Sequence, residues 1–521
     1  MSRAGFPTSR SNPGVVQVRD DSYTDSGDAK NANPGDVKAL SLLSRIRPFG
    51  QAKVFLRQRM ASFHMEWVAY QAEIRGCFIL FYNSGKTFDP ETCEYLTQLD
   101  SVLSVRECEV HGLVIQGRGE VLQLKNGSQS VFISFEKSET LEKWKSPISR
   151  IAKQPRVTVD DFEVLAPIGI GAGGKVFLVR RKGFTEKLAM KVIDKRKAVY
   201  IDHYHFHHAM DERFLLELAN SNPFCVQMKY CFQSSSKFYY VMEFCEGGDI
   251  FGYMWKQKKA VGEPRSKLVA AQVLLALEHI HSVGYIYRDL KPENVLIDGR
   301  GFVRLTDFGL SKRLKPDVRL SRTNTICGTF SYLAPEMLQG RYNSSVDVWT
   351  FGILLYQLIT GETPCNARSV EDARRYFRRG NPVEYFPELM SEECVSFLKS
   401  VITPTVEERV GAGKDGISEL KSHSFFSDVD WDSLLARKDG MESTLDVSFI
   451  NRTVSSHDDD EVQLVRNFDM EELRGVRFEG EFSNSFDSDW TIFPVLKWNE
   501  TGGDLSPYFL LGFDYFSEEA N

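Results

Sequence analysis

Apolar and polar positions alternate along several short segments between residues 45 and 153, a pattern that predicts β-strands. A helix should follow them, because Ser138 is typical of a helix cap. Leu141, Trp144 and Ile148 would share the apolar face of that helix. The predicted strands are Ala52–Arg57, Trp67–Ile74, Cys77–Tyr82, Ser101–Glu107, Leu113–Gln116, Glu120–Leu124 and Ser130–Phe135. The pattern therefore indicates six or seven strands and one C-terminal helix, with Trp144 closing the end of the sheet core.

The rest of the chain divides into segments that differ in amino-acid composition. Residues 1–44 are rich in Ser, Gly, Asn, Pro and Asp, and we expect this segment to be disordered. Residues 162–426 contain the longest apolar stretches. These stretches are shorter than the ~20 residues that a membrane-spanning helix needs, so they predict buried helices of a globular domain. Residues 427–521 form a tail that passes through a polar, acidic stretch and ends in an aromatic-rich segment.

Composition and charge narrow the class of protein. With 42% hydrophobic and 26% charged residues the chain has the composition of an ordinary globular protein. A net charge of -7 is small for 521 residues and argues against nucleic-acid binding. The nine cysteines are scattered without a paired motif, which favours reduced thiols. The N-terminus has no apolar leader, and Ser2 stands where N-myristoylation needs glycine. We expect a cytoplasmic monomer with at most peripheral membrane contact.

Three short motifs carry the candidate chemistry. The run 169–176 reads G-I-G-A-G-G-K-V, the run 287–294 reads Y-R-D-L-K-P-E-N, and residues 307–309 read D-F-G. Their order and spacing match a phosphate-covering loop, a catalytic loop and a metal-binding turn. A lone glycine motif is weak evidence, whereas all three in order are specific. Glycines in the first run leave room for the backbone to lie over a triphosphate.

On these motifs the chain resembles serine/threonine kinases of the AGC group. Tyr287 before Arg288-Asp289 is typical of that group, as are the runs 323–336 and 423–431. Lys291 after the catalytic aspartate favours serine/threonine over tyrosine specificity. The resemblance implies an α+β bilobal kinase fold with a β-rich N-lobe and a helical C-lobe. The strand-rich region before it resembles a pleckstrin-homology domain, a barrel or sandwich with a C-terminal helix, as in protein kinase B.

The resemblance also implies roles for individual residues. Asp289 would be the catalytic base, Lys291 would stabilise the transferring phosphate, and Asn294 with Asp307 would hold Mg²⁺. Lys191 should pair with a carboxylate on a helix, and Glu212 is the first candidate, with Asp211 and Glu217 as alternatives. The residues expected to bind ATP are Gly169, Gly171, Gly174, Val176, Ala189, Lys191, Glu212, Glu243, Cys245 and Leu296.

Further expectations concern the scaffold of the site. Leu216, Met228, Tyr287 and Phe308 would form a stack that links the lobes. Asp347 would hold the catalytic loop in place, and Glu336 would pair with Arg409. Met242 would be the gatekeeper beside the hinge 243–245, whose backbone would bind adenine. All of these follow from the resemblance.

Two segments resemble switches of the group. Thr325 matches the activation-loop site of an upstream kinase, and a phosphate there could be bound by Arg288, Lys312 and His208. The histidines around position 208 leave open a metal site, although no cysteine or acidic ligand completes one. In the tail, Leu510, Phe513 and Asp514 resemble the hydrophobic motif. Asp514 replaces the residue that is usually phosphorylated, so docking on the N-lobe would need no phosphate. An amphipathic tail without docking is the alternative.

Substrate preference follows from acidic positions. Asp249 and Glu293 match positions that bind arginine upstream of the phosphoacceptor, which favours basic protein substrates. Gln357 and Ser331 stand where Glu is usual, so arginine immediately upstream should be less required. Phe330 replaces a proline near the pocket for the following residue.

The N-terminal domain leaves two functions open. Lys53, Arg57 and Arg59 lie near the expected headgroup pocket, but the second strand lacks the basic pair of lipid-binding relatives. Phosphoinositide binding therefore competes with an autoinhibitory or protein-binding role. For the whole chain, the alternative to an active ATP- and Mg²⁺-dependent kinase is an impaired kinase fold that serves as a scaffold or membrane adaptor.

Overall fold

A computed structural model of the chain provides the structure. It describes residues 50–59, 65–75, 78–83, 99–105, 108–126, 129–153, 157–171, 174–194, 203–234, 237–314, 327–340, 342–378, 383, 386–438, 445–447, 493–494 and 515–516. The segment 1–44, Thr325, Leu510, Phe513 and Asp514 lie outside the described residues.

The N-terminal domain is an antiparallel sheet with one helix. Its strands are β1 (Gly50–Arg59), β2 (Met65–Arg75), β3 (Phe78–Asn83), β4 (Leu99–Ser104), β5 (Glu109–Ile115), β6 (Gly119–Asn126) and β7 (Gln129–Phe135). Strand β1 pairs with both β2 and β7, which gives the order β4-β3-β2-β1-β7-β6-β5. Helix α1 (Ser138–Ala152) follows. This arrangement of seven strands and a helix is compatible with the expected pleckstrin-homology-like domain.

Helix α1 contributes one face to the core of this sheet. Leu141, Trp144 and Ile148 are buried as predicted, and the Trp144 ring lies 5.3 Å from that of Phe135. The predicted cap was wrong by one position. The backbone remains extended through Lys137 (φ -130°, ψ 134°), so Ser138 is already helical and no side chain caps the helix.

A second antiparallel sheet begins the larger domain. Its elements are β8 (Phe162–Gly171), β9 (Gly174–Arg181), β10 (Lys187–Asp194), α2 (His203–Ala219), β11 (Met228–Gln233) and β12 (Lys237–Glu243). The strand order is β11-β12-β10-β9-β8. This sheet with one helix forms the predicted β-rich lobe.

A helical lobe follows. Its helices are α3 (Ile250–Gln257), α4 (Glu263–Ser282), α5 (Ser345–Thr360), α6 (Val370–Phe377), α7 (Glu392–Val401), α8 (Ile417–Lys421) and α9 (Trp431–Leu435). Short strands β13 (Tyr285–Ile286) and β16 (Lys312–Arg313) pair with each other, as do β14 (Val295–Ile297) and β15 (Val303–Leu305). Buried residues of α4 and α5 form much of the core. The predicted bilobal α+β fold is confirmed.

Two short tail strands add to the sheets. Strand β17 (Phe493–Pro494) pairs with β4 of the N-terminal domain. Strand β18 (Tyr515–Phe516) pairs antiparallel with β11, opposite Tyr230 and Cys231. Of these two strands, β18 thus extends the sheet of the β-rich lobe and β17 extends that of the N-terminal domain.

The predicted contact between Glu336 and Arg409 is confirmed in the helical lobe. Arg409 Nη1 lies 2.5 Å from Glu336 Oε1, and its Nη2 lies 3.0 Å from Oε2. Both residues are buried. Among the described helices, none has the length and apolar character needed to cross a bilayer.

Candidate active site

Lys191 links both lobes through two carboxylates. Strand β10 places it between β9 and β12, with its side chain directed toward α2. Its Nζ lies 2.6 Å from Glu212 Oε1 and 2.9 Å from Asp307 Oδ1. Glu212 is therefore the partner, whereas the alternative Glu217 pairs with Arg213. Burial alone would lower the pKa of Lys191, but Asp307 and Glu212 raise it above its ordinary value, so the side chain remains an ammonium.

Asp289 lies in a tight group of polar side chains. Its Oδ2 accepts hydrogen bonds from Lys291 Nζ at 2.8 Å and Asn294 Nδ2 at 2.9 Å. Thr329 lies close to both charges, 3.5 Å from Asp289 Oδ1 and 3.3 Å from Lys291 Nζ. Burial raises the pKa of Asp289, and Lys291 opposes that effect. The group places one carboxylate and one ammonium where a hydroxyl and a phosphate could meet.

Asp347 holds the backbone of this loop. Its carboxylate accepts hydrogen bonds from the N–H groups of Tyr287 and Arg288, each at 2.8 Å, and from His281 Nε2 at 2.7 Å. Arg288 has φ +71°, a left-handed conformation that is uncommon for a side chain of this size. The predicted contact of Asp347 with the catalytic loop is confirmed, and it stabilises this strained turn.

The glycine-rich turn between β8 and β9 depends most on Gly174. This residue has φ +135°, and a Cβ there would lie 2.3 Å from the carbonyl oxygen of Val192. A Cβ on Gly169 would meet Val176 at an ordinary 3.5 Å. Any side chain at position 174 would thus clash with the backbone of β10, so glycine is required there. Gly169, by contrast, leaves the surface of β8 open. The backbone of Gly171 ends β8 beside it.

An apolar surface lies under this turn. Ile168 and Leu178 are buried there, packed against the half-buried Leu165, Ala166, Val176, Ala189 and Phe244. Val176 and Ala189 were predicted from the sequence. Ile168 was not, although it directly precedes the glycine motif, and Phe244 was predicted only as part of the hinge 243–245. Such a surface could receive a planar adenine ring.

The hinge and the floor of this cleft are held by backbone pairing. Glu243 N–H donates to the Gln227 carbonyl at 2.9 Å, and Cys245 is buried. Met242, the residue before the end of β12, exposes 7% of its surface. Leu296 on β14 is half-buried on the opposite side and pairs with Asp249. The predicted hinge and floor residues thus border one cleft.

The four residues expected to link the lobes are fully buried in one cluster. Leu216, Met228, Tyr287 and Phe308 each expose 1% or less of their surface. The rings of Tyr287 and Phe308 meet edge to face at 5.7 Å. The predicted contact between Tyr287 and Phe308 is confirmed, and Leu216 and Met228 lie in the same buried cluster.

Asp307 and Asn294 provide the oxygen ligands expected for a hard cation. Asp307 takes a left-handed conformation (φ +54°), and its side chain is about half exposed in the cleft. Lys191 lowers the pKa of this carboxylate, so it stays ionised. Within the described residues, no three His, Cys, Asp or Glu side chains converge as a complete metal site. Mg²⁺ needs only one or two protein oxygens when substrate phosphates supply the others, so these residues fit the ion.

Asp249 and Glu293 lie near each other beside the cleft. Burial raises the pKa of Glu293, and the charge of Asp249 adds to that effect. Asp249 Oδ1 also caps α3 by accepting the Gly252 N–H at 2.7 Å. Gln357 accepts a hydrogen bond from Tyr332, and Ser331 donates to the Ala367 carbonyl at 3.2 Å. The two acids could attract a basic side chain of a substrate.

Arg288 and Lys312 lie beside Cys327, two residues after Thr325. Burial raises the pKa of the Cys327 thiol, and both cations oppose it. Arg288 is anchored by its Nε–H to the Leu310 carbonyl at 2.6 Å. His208 lies on α2, and its side chain is outside the described atoms. The structure therefore brings two of the three predicted phosphate-binding cations together.

Comparison with known proteins agrees with this geometry. Residues 162–426 match the family described as protein kinase domain. The chain belongs to the protein kinase family. The kinase is 39% identical over 299 residues to serine/threonine-protein kinase gad8 of Schizosaccharomyces pombe, covering 56% of this chain and 51% of gad8. It is 36% identical over 329 residues to the RAC family serine/threonine-protein kinase homolog of Dictyostelium discoideum, covering 60% and 71%.

A third relative is ribosomal protein S6 kinase alpha-4 of Homo sapiens, 38% identical over 296 residues, which cover 55% of this chain and 37% of that protein. These relatives place the kinase in the AGC group. The match spans about half the length of gad8 and less of the S6 kinase.

Proposed function

We propose that this kinase transfers the γ-phosphate of ATP to serine and threonine hydroxyls of proteins. The observation that carries the proposal is that two clusters of charged and polar side chains converge on one cleft. Lys191 joins Glu212 to Asp307, and Asp289 lies with Lys291 and Asn294. These are the parts that phosphoryl transfer needs for positioning and charge stabilisation.

Each residue has a distinct task in this proposal. Asp289 orients the substrate hydroxyl and accepts its proton, while Lys291 stabilises charge on the transferred phosphate. Lys191 holds the phosphates of ATP, and Glu212 keeps its ammonium in place. Asp307 and Asn294 would hold Mg²⁺, which neutralises phosphate charge when bound. Thr329, close to both Asp289 and Lys291, positions them relative to the hydroxyl.

We expect a preference for basic substrates. Asp249 and Glu293 lie together beside the cleft, and their combined negative charge favours arginine upstream of the phosphoacceptor. The direct test is phosphate transfer to a degenerate library of serine and threonine peptides. Transfer dominated by peptides with upstream arginine supports the proposal. No transfer from protein carrying phosphate on Thr325 would favour a scaffold instead.

Regulation is proposed through the activation segment and the tail. Phosphate on Thr325, added by an upstream kinase, would bind Arg288 and Lys312 beside Cys327. The pairing of β18 with β11 supports docking of the tail on the β-rich lobe. In the same peptide assay, a chain shortened after Ser506 should transfer phosphate more slowly, and equal rates would contradict tail docking.

We infer a regulatory role for the N-terminal domain, chiefly through protein contacts. Lys53, one of the cations expected to bind a headgroup, pairs with Glu136 at 2.6 Å. This ion pair offsets part of the charge available to a phosphoinositide. Peripheral membrane binding of a cytoplasmic kinase is the alternative. Sedimentation with phosphoinositide vesicles distinguishes the two, since strong binding would overturn the preference for protein contacts.

The pH dependence of transfer should report Asp289. A base must be deprotonated, so kcat/KM falls as the pH decreases through its pKa. Burial raises that pKa above the ordinary 3.8, so the acid limb should lie at higher pH than for an exposed aspartate. Because Lys291 opposes this rise in pKa, the acid limb of the residual kcat/KM of Lys291→Met should lie at a still higher pH than that of the parent. Saturating Mg²⁺ keeps the ionisation of ATP the same in both proteins, and identical limbs would argue against Asp289 as the base.

A further inference from the structure

A chain of four charged side chains connects the segment after α9 to the hinge. Arg437 Nη2 lies 2.5 Å from Asp298 Oδ2. Arg304 Nη2 lies 3.5 Å from the same oxygen, and Arg304 Nη1 lies 3.3 Å from Glu243 Oε1. The side chains of all four are at most 19% exposed. Two cations and two anions are therefore balanced in a largely water-excluded layer behind the cleft.

Both carboxylates in this layer also hold backbone groups of the cleft. Asp298 Oδ1 accepts the N–H groups of Arg300 at 2.9 Å and Phe302 at 3.0 Å, which fixes the turn between β14 and β15. Glu243 Oε1 accepts the N–H of Gln227 at 2.8 Å. Because β14 forms the floor of the proposed adenine site, the four charges join that floor to the hinge.

Arg437 is the member that comes from outside the two strands and the hinge. Its guanidinium also stacks on the Phe302 ring, 4.5 Å from the centroid, and its φ is +47°. Loss of the Arg437 guanidinium would leave Asp298 with Arg304 as its remaining cationic partner among the described residues. Since a buried charge needs compensation, Arg304 would move toward Asp298 and away from Glu243.

We propose that Arg437 is a positioning residue for the nucleotide. Through Asp298 and Arg304 it fixes Glu243 and the hinge, so the segment that follows α9 sets the affinity for ATP. The inference rests on the proposed function for the identity of the nucleotide. It assigns to the start of the tail a role at the adenine end of the cleft, separate from docking of the tail on the β-rich lobe.

The test is the Kd of ATP, measured by titration calorimetry on the full chain with saturating Mg²⁺. Arg437→Gln should weaken binding roughly fivefold, because a variant within such a network changes the coupling between the two ends that the network joins. Arg437→Lys keeps the charge and should recover most of the affinity. Arg374→Gln is the matched control, since Arg374 is exposed and its partner Glu371 lies 3.9 Å away. Peptide KM and kcat at saturating ATP should change less than twofold in Arg437→Gln.

A second variant separates positioning from simple structural support. Asp298→Asn should also weaken ATP binding. The double variant Arg437→Gln/Asp298→Asn should bind ATP no more weakly than the single variant with the lower affinity, because both substitutions act through Arg304. A structural role alone would lower the melting temperature and the active fraction while leaving the Kd of ATP in folded protein unchanged. That result, or additive effects, would overturn the inference. A parent protein that binds ATP but transfers no phosphate would overturn the proposed function and leave this test intact, and a parent that binds no ATP would overturn both.

Discussion

Asp307→Asn should abolish phosphate transfer while leaving the fold intact. Asparagine has the same shape as aspartate but no charge, so it offers Mg²⁺ a weak ligand in place of a carboxylate. Loss of one preorganised charge at a reacting phosphate lowers kcat by about a thousandfold. The ion pair between Lys191 and Glu212, 2.6 Å long, does not depend on Asp307 and should hold α2 in place.

The measurement is kcat with a basic peptide at saturating ATP and Mg²⁺. Asp415→Asn, at an exposed position of the helical lobe, is the control and should match the parent. Equal melting temperatures of the three proteins would show that the loss is chemical. If Asp307→Asn kept about a tenth of the parent rate, Asp307 would not be the metal ligand.

Arg409→Met should strongly destabilise the helical lobe. Arg409 exposes 3% of its surface and Glu336 exposes 6%, so the variant leaves a buried carboxylate with Ser345 as its remaining side-chain partner. Orphaning one member of a buried pair costs about 3–5 kcal/mol. Arg409 also donates to the carbonyls of Thr403 and Ser345, each at 2.9 Å, and these bonds are lost as well.

For a domain of this size we expect the melting temperature to fall by roughly 10 °C. Arg378→Met is the matched control, because its ion pair with Glu371 is just as short at 2.6 Å but exposed, and such pairs contribute about 1 kcal/mol or less. Glu336→Gln in the Arg409→Met background should recover part of the loss. Equal melting temperatures for Arg409→Met and Arg378→Met would contradict the importance of burial.

Much of the site could be predicted from local sequence. The catalytic loop, the glycine turn and the turn 307–309 are short motifs whose spacing is set by the chemistry of phosphate and metal, so their residues could be proposed without tertiary information. Most strands of the N-terminal domain followed from alternation. Strand β5 is the exception, because it begins at Glu109, four residues before the predicted Leu113, and exposes most of its residues. The start of α1 was misplaced because the backbone after β7 is extended only through Lys137, so the helix begins one residue earlier than the cap pattern indicates.

Other contacts depended on distances between residues that are remote in the chain. Ile168 was missed, and the side chain of Phe244 was not assigned to the apolar surface, because an apolar residue beside a motif carries no signal of its own until β8 and the hinge meet across a cleft. The Arg437–Asp298–Arg304–Glu243 chain joins positions up to 194 residues apart, from 243 to 437. Neither residue type nor spacing marks those four as partners.

The sequence by itself determined the kinase class and the lobes, and it indicated candidate residues for a phosphate and metal site, because these reside in contiguous motifs. Only the tertiary structure decided that Glu212 and not Glu217 pairs with Lys191, that Thr329 joins Asp289, and that Arg437 pairs with Asp298. The physical reason is that ion pairs and packing depend on burial and on ångström-scale distances, which the folding of the whole chain sets.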